Sequence, residues 1–286
     1  MKKFKFNPLK ILVYSAAIFT FAIIAFIIGY LLVKGVPEVI NEIGKKIAGE
    51  PSMFDWKYNS SNASLVPATI NTLVLIAISI TISTILGIGT AIYLVEYAKS
   101  GNKVVELIRI TSETLSGIPS IIYGLFGMLF FVKYLQFGFS LLSGILTISI
   151  MILPLIIRST EEALKAVPDT FREASFGLGA GKLRTIFVII LPSAINGILA
   201  GIILAIGRII GETAALLYTS GTTTGMSQNP LTDGGRTLSI HMYMLTSEGT
   251  HFPQAYATAA ILLLIILLLN GGSTLIAKQL TKNRNA

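Results

Sequence analysis

Six stretches of the chain run for roughly 18 residues or more almost free of charge: Ile11–Val33, Ala68–Val95, Thr114–Val132, Phe139–Ile157, Ala194–Tyr218 and Ala255–Ala277. Crossing about 30 Å of hydrocarbon takes roughly 20 apolar residues in a helix. The pattern therefore predicts an all-α, polytopic membrane protein with six transmembrane helices. The first run follows a basic start, MKKFKFNPLK. It is longer than the roughly 7–15 apolar residues of a secretion signal and lacks a small-residue cleavage pattern, so it is expected to stay as a helix.

The polar stretch Lys34–Leu65 carries Pro37, Pro51 and the run NSSNAS, whose turn-forming residues predict a loop-like tether rather than a packed unit. It separates residues 1–67, a first helix with its outside loop, from a transmembrane body over 68–286. Within that body, SGIPSIIYGLFG places Gly117, Pro119, Gly124 and Gly127 at the start of the third run. Two readings stand: a broken helix bounding a path through the membrane, or a closely packed helix start. Small residues at spacing four, Gly197, Gly201 and Ala205, then Gly207, Gly211 and Ala215, predict close helix packing along the fifth run.

Composition narrows the function. With 53% hydrophobic and 13% charged residues, the 286-residue chain departs from soluble enzymes, which carry about 25% charged residues. It has no cysteine and two histidines, which excludes disulfides, iron–sulfur clusters and thiolate zinc sites, and no metal or cofactor is expected. A net charge of +8 fits membrane topology better than nucleic acid, because the basic residues lie between apolar runs. Lys2, Lys3, Lys5, Lys10, Lys99, Lys103, Arg109, Arg158, Lys165, Arg172, Lys182, Arg184, Lys278, Lys282 and Arg284 fall on one face, against Lys34, Lys45, Lys46, Lys57, Lys133 and Arg236 on the other. The positive-inside rule then puts both termini in the cytoplasm. In the outer stretch Thr219–Phe252, His241 and His251 are expected to be solvated and Arg236 to make a turn contact with Asp233.

The cytoplasmic segment 158–192, RSTEEALKAVPDTFREASFGLGAGKLRTIFVIILP, is longer and more charged than a simple turn. Pro168 and Asp169 can start a helix, and Gly177, Gly179 and Gly181 can end it and allow a bend. Two short helices joined at a glycine make a shape that docks into a groove on another protein. No G-x-x-x-x-G-K-[ST] phosphate loop occurs; GLGAGKLRT lacks both the spacing and the residue after the lysine, so ATP binding of that kind must come from a partner.

Arg208 and Glu212 are the charges inside an apolar run. If that run is one helix centred at residue 206, Arg208 lies roughly 3 Å and Glu212 roughly 9 Å from its midpoint, four residues apart on one face. Such charges cost on the order of 2.5–3.5 kcal/mol to insert, so they face a cavity or each other. They can form a buried pair locking two helices. Alternatively, the guanidinium receives an oxyanion through fixed, forked donors, while the carboxylate accepts the proton that phosphate keeps near neutral pH and sulfate does not. Arg158, at the end of the fourth run, is a third path candidate or an interfacial arginine that snorkels.

Glu173-Ala174-Ser175, Gly179, Ile189, Leu191 and Pro192 fit the pattern EAA, three residues, G, nine residues, I, one residue, LP, with serine in place of the second alanine. This resembles the coupling loop of permease subunits of ABC-type, binding-protein-dependent importers, over the five helices from Ile70 onward. GIPSIIYGLFG, GRIIGETAALL and TSGTTTGMSQNPL further resemble the PstA-type permease of phosphate importers. The resemblance implies a type I (MetI-like) permease fold in the last five helices and a site on the bacterial cell (inner) membrane. It also implies ATPase coupling through Glu173, Ala174, Ser175 and Gly179, and a phosphate path through Arg208 and, less directly, Glu212. The partners it implies are a second, PstC-type permease, two copies of a PstB-type ATP-binding subunit, an outside PstS-type phosphate-binding protein and membrane lipid. The chain would be a transport subunit, not an enzyme. Other oxyanions (phosphonate, molybdate, sulfate) are the alternative cargo; an ion-coupled transporter or channel would need no coupling loop.

Overall fold

The computed structural model describes residues 8–99, 101–226, 229, 232–249 and 251–282. Lys2, Lys3, Lys5 and Arg284 of the charge pattern, and parts of TSGTTTGMSQNPL, lie outside the described residues. Those described form helices and connections with no strand. Five helical runs are long and apolar enough to cross a membrane: Leu9–Ala48, Val66–Tyr97, Leu141–Lys165, Lys182–Ile210 and Phe252–Gly272. A sixth crossing requires the pair Lys103–Ser116 and Ser120–Tyr134, bent by 103°.

Helix α1 spans Pro8–Ala48, much further than the apolar run alone. Its residues from Leu9 to Ile28 are exposed, an apolar surface that suits lipid or another subunit. Its neighbour within the chain is α11, Phe252–Lys282. The segment after α1 corrects the expected tether. The helix continues through Pro37, and residues 52–65 fold against it. Met53 is fully buried, the Glu42 carboxylate accepts its backbone N–H at 2.9 Å, and the Ser52 hydroxyl donates to the Glu42 carbonyl at 2.8 Å. Turn-forming residues here fold a compact cap rather than a free loop.

Helix α2, Val66–Ile92, starts at a proline and ends in a π-helical turn, Tyr93–Tyr97. It packs along α5, Leu141–Lys165, which forms the centre of the body: Ile145, Ile148, Met151, Ile152 and Ile156 are fully or almost fully buried. Serines stitch the pair, Ser79 and Ser83 donating to the carbonyls of Ile145 and Ser149 at 3.3 and 3.0 Å. Ser140 caps α5 by accepting the Ser143 N–H. On the other side of α5 lies α8, Leu191–Ile210. Gly197 and Gly201 face Ala163 and Ser159, as close packing predicts, whereas a side chain added at Gly207 or Gly211 would meet nothing within 4 Å.

Candidate translocation site

One spanning segment is broken, and its second half meets a short helix that follows another span. The break joins α3, Lys103–Ser116, to α4, Ser120–Gly127, which continues through a π-helical turn to Tyr134. Pro119 excludes its predecessor from helical geometry and opens α4 from an extended conformation at ψ 139°. The Tyr123 hydroxyl donates to the Leu115 carbonyl at 2.8 Å, tying α4 back to the end of α3. Thr114–Val132 is thus no single span: α3 carries Lys103, Glu106, Arg109 and Glu113, so a search for uncharged runs passed over it.

The short helix that α4 meets follows α8. The helical run begins at Lys182, through α7 (Lys182–Thr185) and a π-helical turn at Ile186–Ile190, and stops at Gly211; a four-residue helix α9, Ala214–Leu217, follows. The expected continuous span Ala194–Tyr218 is therefore wrong at both ends. Arg208 sits in the last turn of α8 rather than mid-helix, and Glu212 lies beyond the helix, so the two do not share a helical face. Helix α4 meets α9 where a Cβ on Gly124 would come 2.8 Å from the Ala215 Cα. Only glycine permits that approach.

Arg208 is partly exposed, next to the open positions Gly207 and Gly211 and within electrostatic range of Tyr123. No carboxylate comes within 4.0 Å of it among the described residues. Glu212 is buried. One of its oxygens accepts the Ala215 N–H at 3.1 Å, capping α9, and its carbonyl accepts the Ser239 hydroxyl at 2.7 Å. The buried Arg208–Glu212 pair weighed from the sequence does not form. A cavity of about 660 Å³ lies beside α9; Leu31, Ile121, Leu217 and Met242 line it together with the hydroxyl-bearing Thr213 and Ser239, and no charged side chain is in its lining.

Arg158 lies on an exposed turn of α5, which extends beyond the predicted end of the span. It pairs with Glu162 at 3.0 Å and approaches Glu113 at 4.0 Å. Arg109 and Lys165 both pair with Glu161 at 2.7 Å beside it. Arg208 and Arg158 are not brought together.

At the same end, the segment 158–192 is shorter as a loop than expected because α5 runs to Lys165. Its first helix, α6, spans Asp169–Gly177 after Pro168, as predicted. Gly179 takes φ +81°, a conformation glycine adopts without cost, at the bend. Glu173 and Ala174 are exposed; Ser175 is buried, its hydroxyl 2.8 Å from that of Thr185 in α7. Sequence reasoning missed Arg172 here. Its Nε and Nη2 donate to Glu96 Oε1 at 3.0 and 2.7 Å, Nη1 and Nη2 reach the carbonyls of Val167 and Leu164, and Nη1 meets Asp169 at 3.0 Å. The FREAS run flagged the loop, but nothing local pointed to a partner 76 residues away.

The far end overturns a further expectation. Arg236 and His241 are buried, not solvated, and Arg236 makes no pair with Asp233. Arg236 Nε donates to the Thr222 carbonyl at 3.1 Å, Nη1 lies 3.5 Å from His241 Nδ1, and the guanidinium stacks 5.1 Å from the Tyr58 ring centre. His241 belongs to α10, Leu238–Ser247, in the connection before α11. Burial, reinforced by Arg236, holds its pKa down at about 4, so the ring is neutral.

Apolar crossings, one of them broken and packed against the short helix that follows another, and a helical loop projecting at one end describe a transport permease rather than an anchor or a receptor. The family model described as "Binding-protein-dependent transport system inner membrane component" matches residues 83–282, and the chain belongs to that family as an ABC importer permease subunit. It is 33% identical over 254 residues to the "Probable ABC transporter permease protein YqgI" of Bacillus subtilis, covering 83% of this chain and 82% of that protein. It is 41% identical over 162 residues to the "Phosphate transport system permease protein PstA" of Yersinia pestis, covering 57% of this chain and 54% of that one. Among solved structures, the MetNI methionine ABC transporter in an inward facing conformation shares the fold with TM-score 0.63 and 18% identity, over 76% of this chain and 95% of that one. The MetI-like permease fold is thereby established.

Proposed function

We propose that this chain is the PstA-type permease subunit that passes inorganic phosphate through the cell membrane, powered by a partner ATPase. The observation that carries the reading is Arg208: a guanidinium without a carboxylate partner among the described residues, in the last turn of a spanning helix, beside two glycines that leave space for a ligand. A forked, permanently charged donor suits a tetrahedral oxyanion. Glu212 holds the break in shape through its cap on α9 and sets a negative group near the path. Arg158 takes a weaker part, since an anion arriving there competes with Glu162 and Glu113.

In this reading Glu173, Ala174, Ser175 and Gly179 form the docking loop for two PstB-type ATP-binding subunits, with both termini on that side. A PstC-type permease completes the path, and a PstS-type protein delivers phosphate at the end bearing Tyr58, Arg236 and α10. Another oxyanion is the competing cargo. Membrane vesicles from a strain lacking the chain, with and without its return, test this through ATP-dependent phosphate uptake against molybdate, sulfate and phosphonate competitors. Restored uptake that phosphate alone competes out is expected; transport of another oxyanion with phosphate ignored overturns the cargo. In the same assay Gly179→Leu, which forces a side chain into a left-handed backbone position, is expected to abolish uptake.

A further inference from the structure

We infer that Glu96 and Arg172 are the positioning residues through which the docking loop drives the body, making α6 and the end of α2 one mechanical unit. The inference rests on the docking role proposed for α6 and α7. Docking alone moves nothing unless the loop is fastened to a spanning helix, and covalently α6 is joined to the body only through the ends of its own loop.

The fastening is specific. Arg172 offers two nitrogens to one oxygen of Glu96, at 3.0 and 2.7 Å, with both side chains largely shielded from water. Its remaining donors reach the carbonyls of Leu164 and Val167 at the end of α5 and the Asp169 carboxylate. One guanidinium therefore ties together α6, the end of α5 and the end of α2. Lys182, opening α7, lies 4.7 Å over the ring of Tyr97, so both arms of the loop grip the same turn.

That turn is π-helical, Tyr93–Tyr97, and a second π-helical turn, Ile186–Ile190, lies where the loop re-enters the membrane through α8. Single π-helical turns widen a helix locally and recur at functional positions. A force applied to α6 thus reaches α2 directly, and α2 is packed along α5 for its length. Shielding matters as well, since an exposed pair would contribute little and weaken with salt, whereas in this one the Arg172 guanidinium combines charge with five hydrogen bonds.

The chain contains no cysteine, so Thr170→Cys on α6 and Ile85→Cys on α2, both exposed, give two unique spin labels within this subunit of the assembled importer. Their separation is measured by pulsed electron resonance, nucleotide-free and ATP-trapped. One distance in both states is expected with Glu96 present. With Glu96→Ala, which cuts the link to α2 and leaves Arg172 its contacts on α5, the distance should differ between states. Phosphate moved per ATP hydrolysed should then fall about fivefold or more at unchanged complex yield. Glu96→Gln keeps the acceptor without the charge and should lie between.

A parent distance that already changes with ATP overturns the inference, as does a Glu96→Ala importer that behaves like the parent. So does a parallel loss of yield, hydrolysis and uptake at an unchanged ratio, which marks a folding contact only. Failure of the docking role itself shows separately, as full ATPase assembly and uptake in the unlabelled Gly179→Leu protein.

Discussion

Arg236 and Arg208 bound the same body at different places and live in opposite surroundings. Arg236 is closed in: a carbonyl, an imidazole nitrogen and a tyrosine ring use its donors and its charge. Arg208 stands at the end of α8 with no carboxylate in reach and open space at the glycines on either side. The difference teaches that an arginine's residue type does not define its role; the number of its donors already used does. A guanidinium with every direction occupied fixes structure, and one with directions left open is available to cargo.

The contrast depends most on the contact between α4 and α9, which holds the Arg208 region in place. Gly124→Leu drives side-chain atoms into the Ala215 backbone, and a loss of about 3 kcal/mol or more is expected. The importer complex should then fail to assemble; a yield equal to that of the parent would mean that α4 and α9 do not touch.

Next in size is Arg236→Ala. It strips donors from the Thr222 carbonyl and His241 Nδ1, and an orphaned buried acceptor costs about 1–3 kcal/mol. Relief from burying a charge offsets part of this, so a net loss of about 2 kcal/mol is expected. Uptake should fall only in proportion to folded complex. Full yield with uptake lost would make Arg236 a cargo residue and erase the contrast.

The smallest effect is a pH dependence that sharpens the closed side. His241, held near a pKa of about 4 against an ordinary 6.5, binds its proton more weakly folded than unfolded. The unfolded chain therefore takes up more protons between those values. Stability is complete above pH 6.5 and declines as pH falls toward 4, by about 1 kcal/mol between pH 7 and 5.5. Thermal unfolding of the parent at those two pH values should show this decline, and His241→Gln should lack that share of it. Equal pH dependence in the two proteins would place water beside the imidazole.

Much of this was legible in the sequence. Apolar runs announce membrane helices, and Pro168, Asp169 and Gly179 announce α6 and its turn, because each acts on its own few residues; Pro119 offered a break as one of two readings. What stayed hidden depends on distant partners or on helix continuing through charge. The segment after α1 reads as a loop because its order comes from the Glu42 carboxylate and Ser52, not from a run of apolar residues. Span five looks unbroken because Gly211 reads there as one of a series of small residues at packing spacing. His241 reads as solvated and Arg236 as a turn contact because their cover, Tyr58 and Ala63, comes from the far side of α2.

Complex yield and phosphate uptake, measured together for Arg208→Gln, Arg208→Lys and Arg208→Gln with Glu212→Gln, address the open arginine most directly. Unchanged yield in all three is expected, because Arg208 pairs with no carboxylate and glutamine at 212 can still accept the Ala215 N–H. Uptake should fall about 10- to 100-fold in Arg208→Gln, the worth of one charged hydrogen-bonded contact, with partial recovery for lysine and none for the double variant. Assembly lost in Arg208→Gln and regained, with uptake, in the double variant would contradict the account and make Arg208 a structural lock.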